Sequence, residues 1–165
     1  MLDLQPTLNK DNMNIKPLVS ADYEEMYSAA SDPAIWKGMP AKNRYKREPF
    51  TKWFDFMLNV GSLTIREHGK IIGATRFFIL PGDYLSFGGT FLIRECWGGY
   101  HNYTHTYMLT HYAFQFYDKI YIHITPDNIR SIKAYEKLGF VYDHEEETFL
   151  GFGKKQNFMW FRLDK

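Results

Sequence analysis

The amino-acid sequence predicts a single α/β domain, built on a mixed sheet of about seven strands with helices on both faces. An amphipathic helical segment comes early, three extended segments separated by tight turns follow it, and a strand–helix–strand pattern comes next. The chain has 165 residues, of which 45% are hydrophobic and 24% are charged. These proportions are typical of one globular domain that buries its own core.

The N-terminal part is expected to be helical after a polar start. Residues 1–14 are polar and aperiodic, which predicts a lead-in that need not be ordered, with the folded domain spanning 15–165. Ser20 and the acidic residues after it predict a helix over 21–30, and Asp32-Pro33 predicts a second helix start. A third helix is indicated by apolar residues at helical spacing, namely Phe50, Trp53, Phe54, Met57 and Leu58.

The middle of the chain is expected to form strands. Segments 62–67, 70–80 and 84–93 are separated by the turn signals His68-Gly69 and Pro81-Gly82-Asp83. Short strands joined by tight turns pair with their neighbours in antiparallel fashion. The pattern therefore predicts a three-stranded antiparallel meander.

The C-terminal part predicts a change of strand direction. A helical period over 102–116 and an alternating pattern over 119–125 imply a right-handed crossover and parallel pairing. A helix over 128–138, closed by Gly139, and strands over 140–147 and 157–163 complete the pattern. We expect the functional site where the sheet changes from antiparallel to parallel, near Ile93 and Trp97.

Charge and composition argue against several classes of protein. The net charge is +1, and the one basic cluster, residues 42–47, is interpreted as a solvated loop, so no nucleic-acid partner is expected. Apolar runs are far shorter than the roughly 20 residues of a membrane helix, and no export signal begins the chain, which predicts a cytoplasmic protein. The single cysteine, Cys96, cannot form an internal disulfide or a Cys-rich zinc site, and no metal is expected.

Residues 128–140, NIRSIKAYEKLGF, form the most informative segment. Asn128 is a helix N-cap and Gly139 is a helix stop, and both are explained by helix formation alone. Tyr135, about two turns into the helix, is not explained in that way. Two interpretations of Tyr135 stay open, a core aromatic residue or a proton donor in catalysis.

Two further segments are unusual for regular structure. In residues 86–92, SFGGTFL, adjacent glycines inside a strand indicate a bulge or a close backbone approach. In residues 97–102, WGGYHN, a glycine pair precedes a helix, where backbone N–H groups form a natural anion site. Tyr100 and His101 follow the pair, and His101 is interpreted as a surface residue.

These three segments resemble motifs of the GNAT superfamily of N-acetyltransferases. Residues 128–140 resemble its coenzyme A-side helix, and 86–92 resemble the fourth strand of the branch that includes ribosomal-protein N-terminal acetyltransferases. Residues 97–102 stand where the family has its pyrophosphate loop, but Tyr100 and His101 occupy positions that are usually glycine or alanine.

The resemblance implies transfer of an acetyl group from acetyl-CoA to a primary amine by direct attack in a ternary complex. Tyr135 would protonate the departing thiolate, and Asn128 would bind the pantetheine arm. The residues implied in cofactor binding are Phe91, Leu92, Ile93, Trp97, Gly98, Gly99, Tyr100, Asn102, Asn128 and Ser131. Trp36 and Ser86 are weaker candidates for the substrate side.

Several questions stay open from the sequence. The general base is a water held by Ser86 or a carboxylate such as Glu95, and the acceptor is a protein N-terminus, an amino acid, a polyamine or another small amine. The protein is expected to be a monomer or a homodimer. The main rival hypothesis is a catalytically weak or inactive CoA-binding or protein-interaction module on the same fold. A nucleic-acid-binding domain would require a basic surface that the sequence does not indicate.

Overall fold

The computed structural model describes residues 1–149 and 154–165, so residues 150–153 of the predicted domain lie outside the described residues. The strands are β1 (Leu8–Lys10), β2 (Met13–Pro17), β3 (Leu63–Glu67), β4 (Lys70–Leu80), β5 (Tyr84–Leu92), β6 (Lys119–Ile124), β7 (Val141–Thr148) and β8 (Gln156–Asp164). The helices are α1 (Tyr23–Ala30), α2 (Pro33–Trp36), α3 (Arg47–Asn59), α4 (Gly99–Ala113) and α5 (Ile129–Lys137).

All the strands of residues 1–149 and 154–165 belong to one mixed sheet. It has eight strands in the order β1-β2-β3-β4-β5-β6-β8-β7. Strands β5 and β6 pair in parallel, and the other described neighbours pair in antiparallel fashion. The predicted mixed α/β class is confirmed, with the change of direction between β5 and β6 as expected.

The lead-in predicted for residues 1–14 is wrong over residues 8–14, which belong to the sheet, while residues 1–7 form no strand or helix. β1 and β2 form a hairpin around Asp11, which adopts a left-handed φ of 53°, and β2 pairs with β3. Met13 and Ile15 are buried in the core, which supplies the hydrophobic contact that stabilises this edge of the sheet. The local sequence hides the strands because their stabilising partners lie about fifty residues further along the chain.

The two larger hydrophobic clusters among the described residues cover the two faces of the sheet. One core, which includes Phe77, Phe87 and Leu109, packs under α4 and also takes in Tyr135 of α5. The other includes Phe50, Trp53, Phe54 and Met57, so α3 presents its predicted apolar stripe to the sheet. Helices therefore cover both faces.

Two helix starts differ from the sequence prediction. Ser20 makes no side-chain cap, because a short 3-10 helix (Ser20–Asp22) precedes α1, and Asp22 turns inward to Arg66 with an N–O distance of 2.6 Å. Helix α4 begins at Gly99 rather than at residue 102. Gly98 is therefore the N-cap, and Gly99 is the first residue of the helix.

The sheet opens between its two parallel strands. β5 and β6 are joined at the pair Ser86 and Tyr121. Beyond that pair the register of β4 against β5 shifts between Ala74 and Arg76, and Gly89 takes a φ of +63°. Glycine is needed at residue 73 as well, because a Cβ there would lie 2.2 Å from the Phe91 carbonyl oxygen. The bend carries the end of β5 away from β6 and leaves a gap beside α5.

Among residues 1–149 and 154–165, no helix has the length and apolar character of a membrane span.

Candidate active site

The gap between β5 and β6 opens into a cavity of about 630 Å³. Its wall includes most of the residues expected from the sequence, namely Trp36, Phe91, Leu92, Trp97, Gly98, Gly99, Asn102, Asn128, Ser131 and Tyr135. Three expected residues, Ser86, Ile93 and Tyr100, are not part of the described cavity wall. The fold thus gathers segments that lie far apart in sequence around one space.

The glycine turn at the start of α4 forms one end of the cavity. Gly98 and Gly99 have φ angles of +69° and +56°, and a Cβ on either would meet no atom within 4 Å. The first N–H groups of a helix have no partner inside the helix, and they bind anions well. The turn therefore fits a phosphate group of a ligand that approaches over these glycines.

Tyr100 and His101 point away from this end of the cavity. The Tyr100 ring is exposed, and its hydroxyl donates to Asp11 Oδ2 at 3.4 Å. His101 Nε2 is 3.0 Å from the Glu67 carboxylate, so this pair ties α4 to β3. Each residue advances about 100° around a helix, which turns residues 100 and 101 off the face of Gly99 and Asn102. The geometry therefore does not support Tyr100 as a cofactor contact.

Cys96 lies beside this pair. The ligand atoms of Glu67, Cys96 and His101 are all within 4.8 Å of one another, a grouping that could hold a metal ion. Burial, followed by the two nearby carboxylates of Glu67 and Glu95, raises the pKa of the Cys96 thiol to about 11. Without a bound metal ion, the thiol is therefore protonated at neutral pH.

Helix α5 supplies the opposite wall. The Asn128 side chain accepts from the Ser131 backbone N–H at 3.3 Å, which makes Asn128 the N-cap as expected. Arg130, Lys133 and Lys137 also line the cavity, and sequence reasoning missed them. Their spacing of three and four residues, which places side chains on one helical face, was the signal that could have found them.

Tyr135 lies at the inner end of α5, against the sheet. Its ring packs on Phe87 and Phe140 with centroid distances of 6.1 and 5.4 Å. Burial raises the pKa of Tyr135 to about 12, and a hydrogen bond with the Thr90 side chain opposes that rise. Because Thr90 belongs to the bulged part of β5, the phenol reaches the point where the strand leaves its neighbour.

The end of β5 is anchored by two of its own backbone groups. The Ile93 N–H donates to the Ile72 carbonyl at 2.8 Å, and the Trp97 indole N–H donates to the Leu92 carbonyl at 2.8 Å. Both groups therefore have protein partners. The contribution of Leu92 and Trp97 to the cavity is therefore their side chains and the fixed position of the strand.

Ser86 and His123 lie where β5 and β6 separate. Ser86 is fully buried, and its hydroxyl is 2.8 Å from the Tyr121 carbonyl oxygen and 3.2 Å from His123 Nδ1. His123 lines the cavity, and burial, with a smaller effect of His144, lowers the pKa of His123 to about 3. Sequence reasoning missed His123, although a histidine within an otherwise apolar strand was a signal. Glu95, the other candidate base, is exposed and is not part of the described cavity wall.

The remaining wall is aromatic and cationic. Arg44 lies about 9% exposed between Trp36 and Trp53, 5.5 Å from each ring centroid, so the interpretation of residues 42–47 as a solvated loop is wrong at this position. Burial lowers the pKa of Arg44 to about 10 and also lowers the pKa of Arg76. Six described lining residues are Arg or Lys, while no described lining residue is Asp or Glu.

A mixed sheet that splays beside a glycine turn and a tyrosine-bearing helix is the arrangement that the sequence resemblance to acetyltransferases implied. The acetyltransferase (GNAT) domain matches residues 12–141, which is most of the chain. The protein therefore belongs to the GNAT acetyltransferase family. No curated protein matches the sequence.

Solved structures share the fold at low sequence identity. A GCN5-related N-acetyltransferase from Brucella melitensis superposes with a TM-score of 0.83 at 14% identity, over 97% of this chain and 79% of that one. An acetyltransferase from Agrobacterium tumefaciens superposes with a TM-score of 0.73 at 19% identity, over 100% of this chain and 98% of that one. Mycobacterium smegmatis RimJ, solved in complex with CoA-disulfide, superposes with a TM-score of 0.69 at 14% identity, over 98% of this chain and 87% of that one.

Proposed function

We propose that the protein transfers an acetyl group from acetyl-CoA to a primary amine by direct attack in a ternary complex. The proposal rests on one observation: the β5–β6 gap, the glycine turn of α4 and the tyrosine of α5 all line the same cavity. Such a cavity holds two reactants in one orientation, which is the main requirement of a direct transfer. When bound, acetyl-CoA supplies an activated acetyl thioester.

The residues at the α4 and α5 end fit coenzyme A. The N–H groups at the glycine turn and the cations of α5 together match a chain of phosphates. Asn128 is only 8% exposed and lies between the α5 start and the gap, where its amide suits a polar arm such as pantetheine. The CoA-disulfide bound by RimJ, a protein of the same fold, supports the assignment of this ligand.

Tyr135 is suited to the role of proton donor. A pKa near 12 keeps the phenol protonated at neutral pH, as a donor must be. Its position behind the β5 bulge directs the hydroxyl toward the gap where the thioester would lie. The core-packing interpretation of Tyr135 is also satisfied by its contacts with Phe87 and Phe140, so only a loss of turnover in Tyr135→Phe distinguishes the two.

The charge of the cavity limits the acceptor. The described cavity wall includes six Arg or Lys side chains and no Asp or Glu, so a second positive charge on the acceptor would be disfavoured. The acceptor is therefore a primary amine whose remaining groups are neutral or anionic, either a small molecule or a protein N-terminus, rather than a polyamine.

The segment 86–92 and the fold shared with RimJ support a place near the ribosomal-protein N-terminal acetyltransferase branch.

A second function has one observation in its favour. Tyr100 lies outside the described cavity wall and is bonded to Asp11, which departs from a glycine-rich pyrophosphate loop and suits a CoA-binding module without turnover. A cytoplasmic location and a monomeric or homodimeric state remain expectations for either function.

Free-thiol release from acetyl-CoA, measured across a panel of amines, tests the proposal. The panel should contain amino acids, peptides with free N-termini and spermidine, each with a melting curve in CoA. We expect CoA to raise the melting temperature, and thiol release with a neutral or anionic amine. Stabilisation without release from any amine would support the binding module, and absence of both would contradict the family-based proposal.

A further inference from the structure

We infer that His123 is a catalytic residue that takes the proton of the attacking amine, a role that rests on the proposed acetyl transfer. The inference starts from the hydrogen bonds of Ser86. A serine hydroxyl carries one hydrogen, and the Ser86 hydroxyl donates it to the Tyr121 carbonyl oxygen at 2.8 Å. The 3.2 Å contact between Ser86 Oγ and His123 Nδ1 then requires that Nδ1 carry the hydrogen.

This network fixes the tautomer of the neutral imidazole. With the hydrogen on Nδ1, the Nε2 atom of His123 has a lone pair and no hydrogen. Nε2 is buried and has no hydrogen-bond partner among the described residues. A buried acceptor without a partner is uncommon in a folded protein, and it is explained when a ligand supplies the missing donor.

The surroundings hold this ring in one orientation. Trp160 packs across the imidazole with a centroid distance of 3.9 Å, and Phe78 and Phe158 approach it at 6.1 and 6.4 Å. His123 lines the same cavity as Tyr135, on the strand that faces β5 across the gap. It is the single histidine of the described cavity wall, which also lacks carboxylates. The base expected at Ser86 or Glu95 is therefore assigned to His123.

Two protein groups, His123 and Tyr135, account for the protons that move during the transfer. The amine nitrogen donates a hydrogen bond to Nε2 and attacks the acetyl carbon, so that a C–N bond forms and the C–S bond breaks. Attack makes the nitrogen cationic and strongly acidic, so it passes its proton to Nε2 in spite of the low pKa of His123. The thiolate takes a proton from Tyr135 Oη. Solvent then removes the proton from the imidazolium and restores that of the phenol. Ser86 acts as a positioning residue, because its hydroxyl sets the tautomer that leaves Nε2 free.

The test uses the full chain with an amine that the thiol-release panel identifies. His123→Ala opens a space for free imidazole, and His123→Asn keeps a donor toward Ser86 but removes Nε2. His111→Ala is the matched control, since His111 is an exposed histidine of α4 that stacks on Tyr107. Each variant is measured for kcat at saturating acetyl-CoA, for the Kd of CoA and for melting temperature.

We expect both His123 variants to lose on the order of 10²-fold in kcat, with the Kd of CoA unchanged. Added imidazole should restore part of the turnover of His123→Ala and none of that of Tyr135→Phe. A wild-type kcat in His123→Asn overturns the inference. The inference is also overturned if His123→Ala loses kcat together with melting temperature and imidazole does not restore that kcat. A wild-type chain that binds CoA but releases no thiol with any amine instead overturns the proposed function, and the inference with it.

Discussion

The guanidinium carbon of Arg130 lies 3.7 Å from the centroid of the Trp97 indole ring. Arg130 belongs to the first turn of α5, whereas Trp97 precedes α4 and donates its indole N–H to the end of β5. The contact joins the two elements that form the proposed cofactor end of the cavity. Because a guanidinium stacked on an indole keeps its edge free for hydrogen bonds, we expect Arg130 to bind a phosphate of the proposed cofactor.

Arg130→Ala should therefore weaken the binding of CoA by roughly tenfold, which corresponds to about 1.4 kcal/mol. The loss should shrink as salt concentration rises, because screening weakens the phosphate contact in the wild type. Calorimetric titration with CoA measures both effects. Arg47→Ala is the matched control, since Arg47 also stacks on a ring, that of Tyr27 at 3.8 Å, but is not part of the described cavity wall. If Arg130→Ala bound CoA as tightly as the wild type, Arg130 would have no role in binding a phosphate.

Asn128→Ala is expected to weaken CoA binding and to lower the free energy of unfolding by about 1 kcal/mol through loss of the helix cap. Asn128→Asp separates the two roles, because a carboxylate still accepts the Ser131 N–H but has no amide donor for the ligand. The Asp variant should keep its stability and still bind CoA less tightly. If its CoA affinity matched that of the wild type, capping would be the sole role of Asn128.

Tyr135→Phe should keep the fold and the Kd of CoA but lower turnover by about 10²-fold, the lower end of the range for a general acid. The lower end is expected because a thiolate leaves readily without help. Thiol release at saturating acetyl-CoA and several pH values is the measurement. Tyr117→Phe is the control, because it removes a hydroxyl that donates to Asp83 at 2.9 Å on the surface. Unchanged turnover in Tyr135→Phe would leave packing as the explanation of this tyrosine.

Acid should destabilise the fold through His105. This side chain is buried in α4, and burial lowers its pKa to about 4, against an ordinary value of 6.5. A histidine with a lowered folded pKa contributes stability above its unfolded pKa, and that contribution is lost as pH falls from 6.5 toward 4. Melting temperatures across this interval should fall in the wild type and fall less steeply in His105→Gln. Parallel curves for the two proteins would show that His105 does not titrate in this way.

The sequence by itself determined the features that depend on near neighbours. The cap at Asn128, the stop at Gly139 and the apolar stripe of α3 follow from residues within a few positions of one another, so their period and turn chemistry can be read locally. The change from antiparallel to parallel pairing was also predictable, because a strand–helix–strand crossover permits only that arrangement. The mixed α/β class and the position of the cavity followed from these two kinds of signal.

Tertiary structure alone decided which side chains share the cavity. His123, Arg44 and Arg76 come from three separate segments, and all three line the cavity that opens where β5 parts from β6. The hairpin of β1 and β2 is ordered by pairing with the distant β3, and Tyr100 leaves the described wall because α4 begins earlier than expected. The physical reason is common to all of these. Strand register and the facing of a side chain are set by long-range pairing and burial, and a local sequence pattern contains neither.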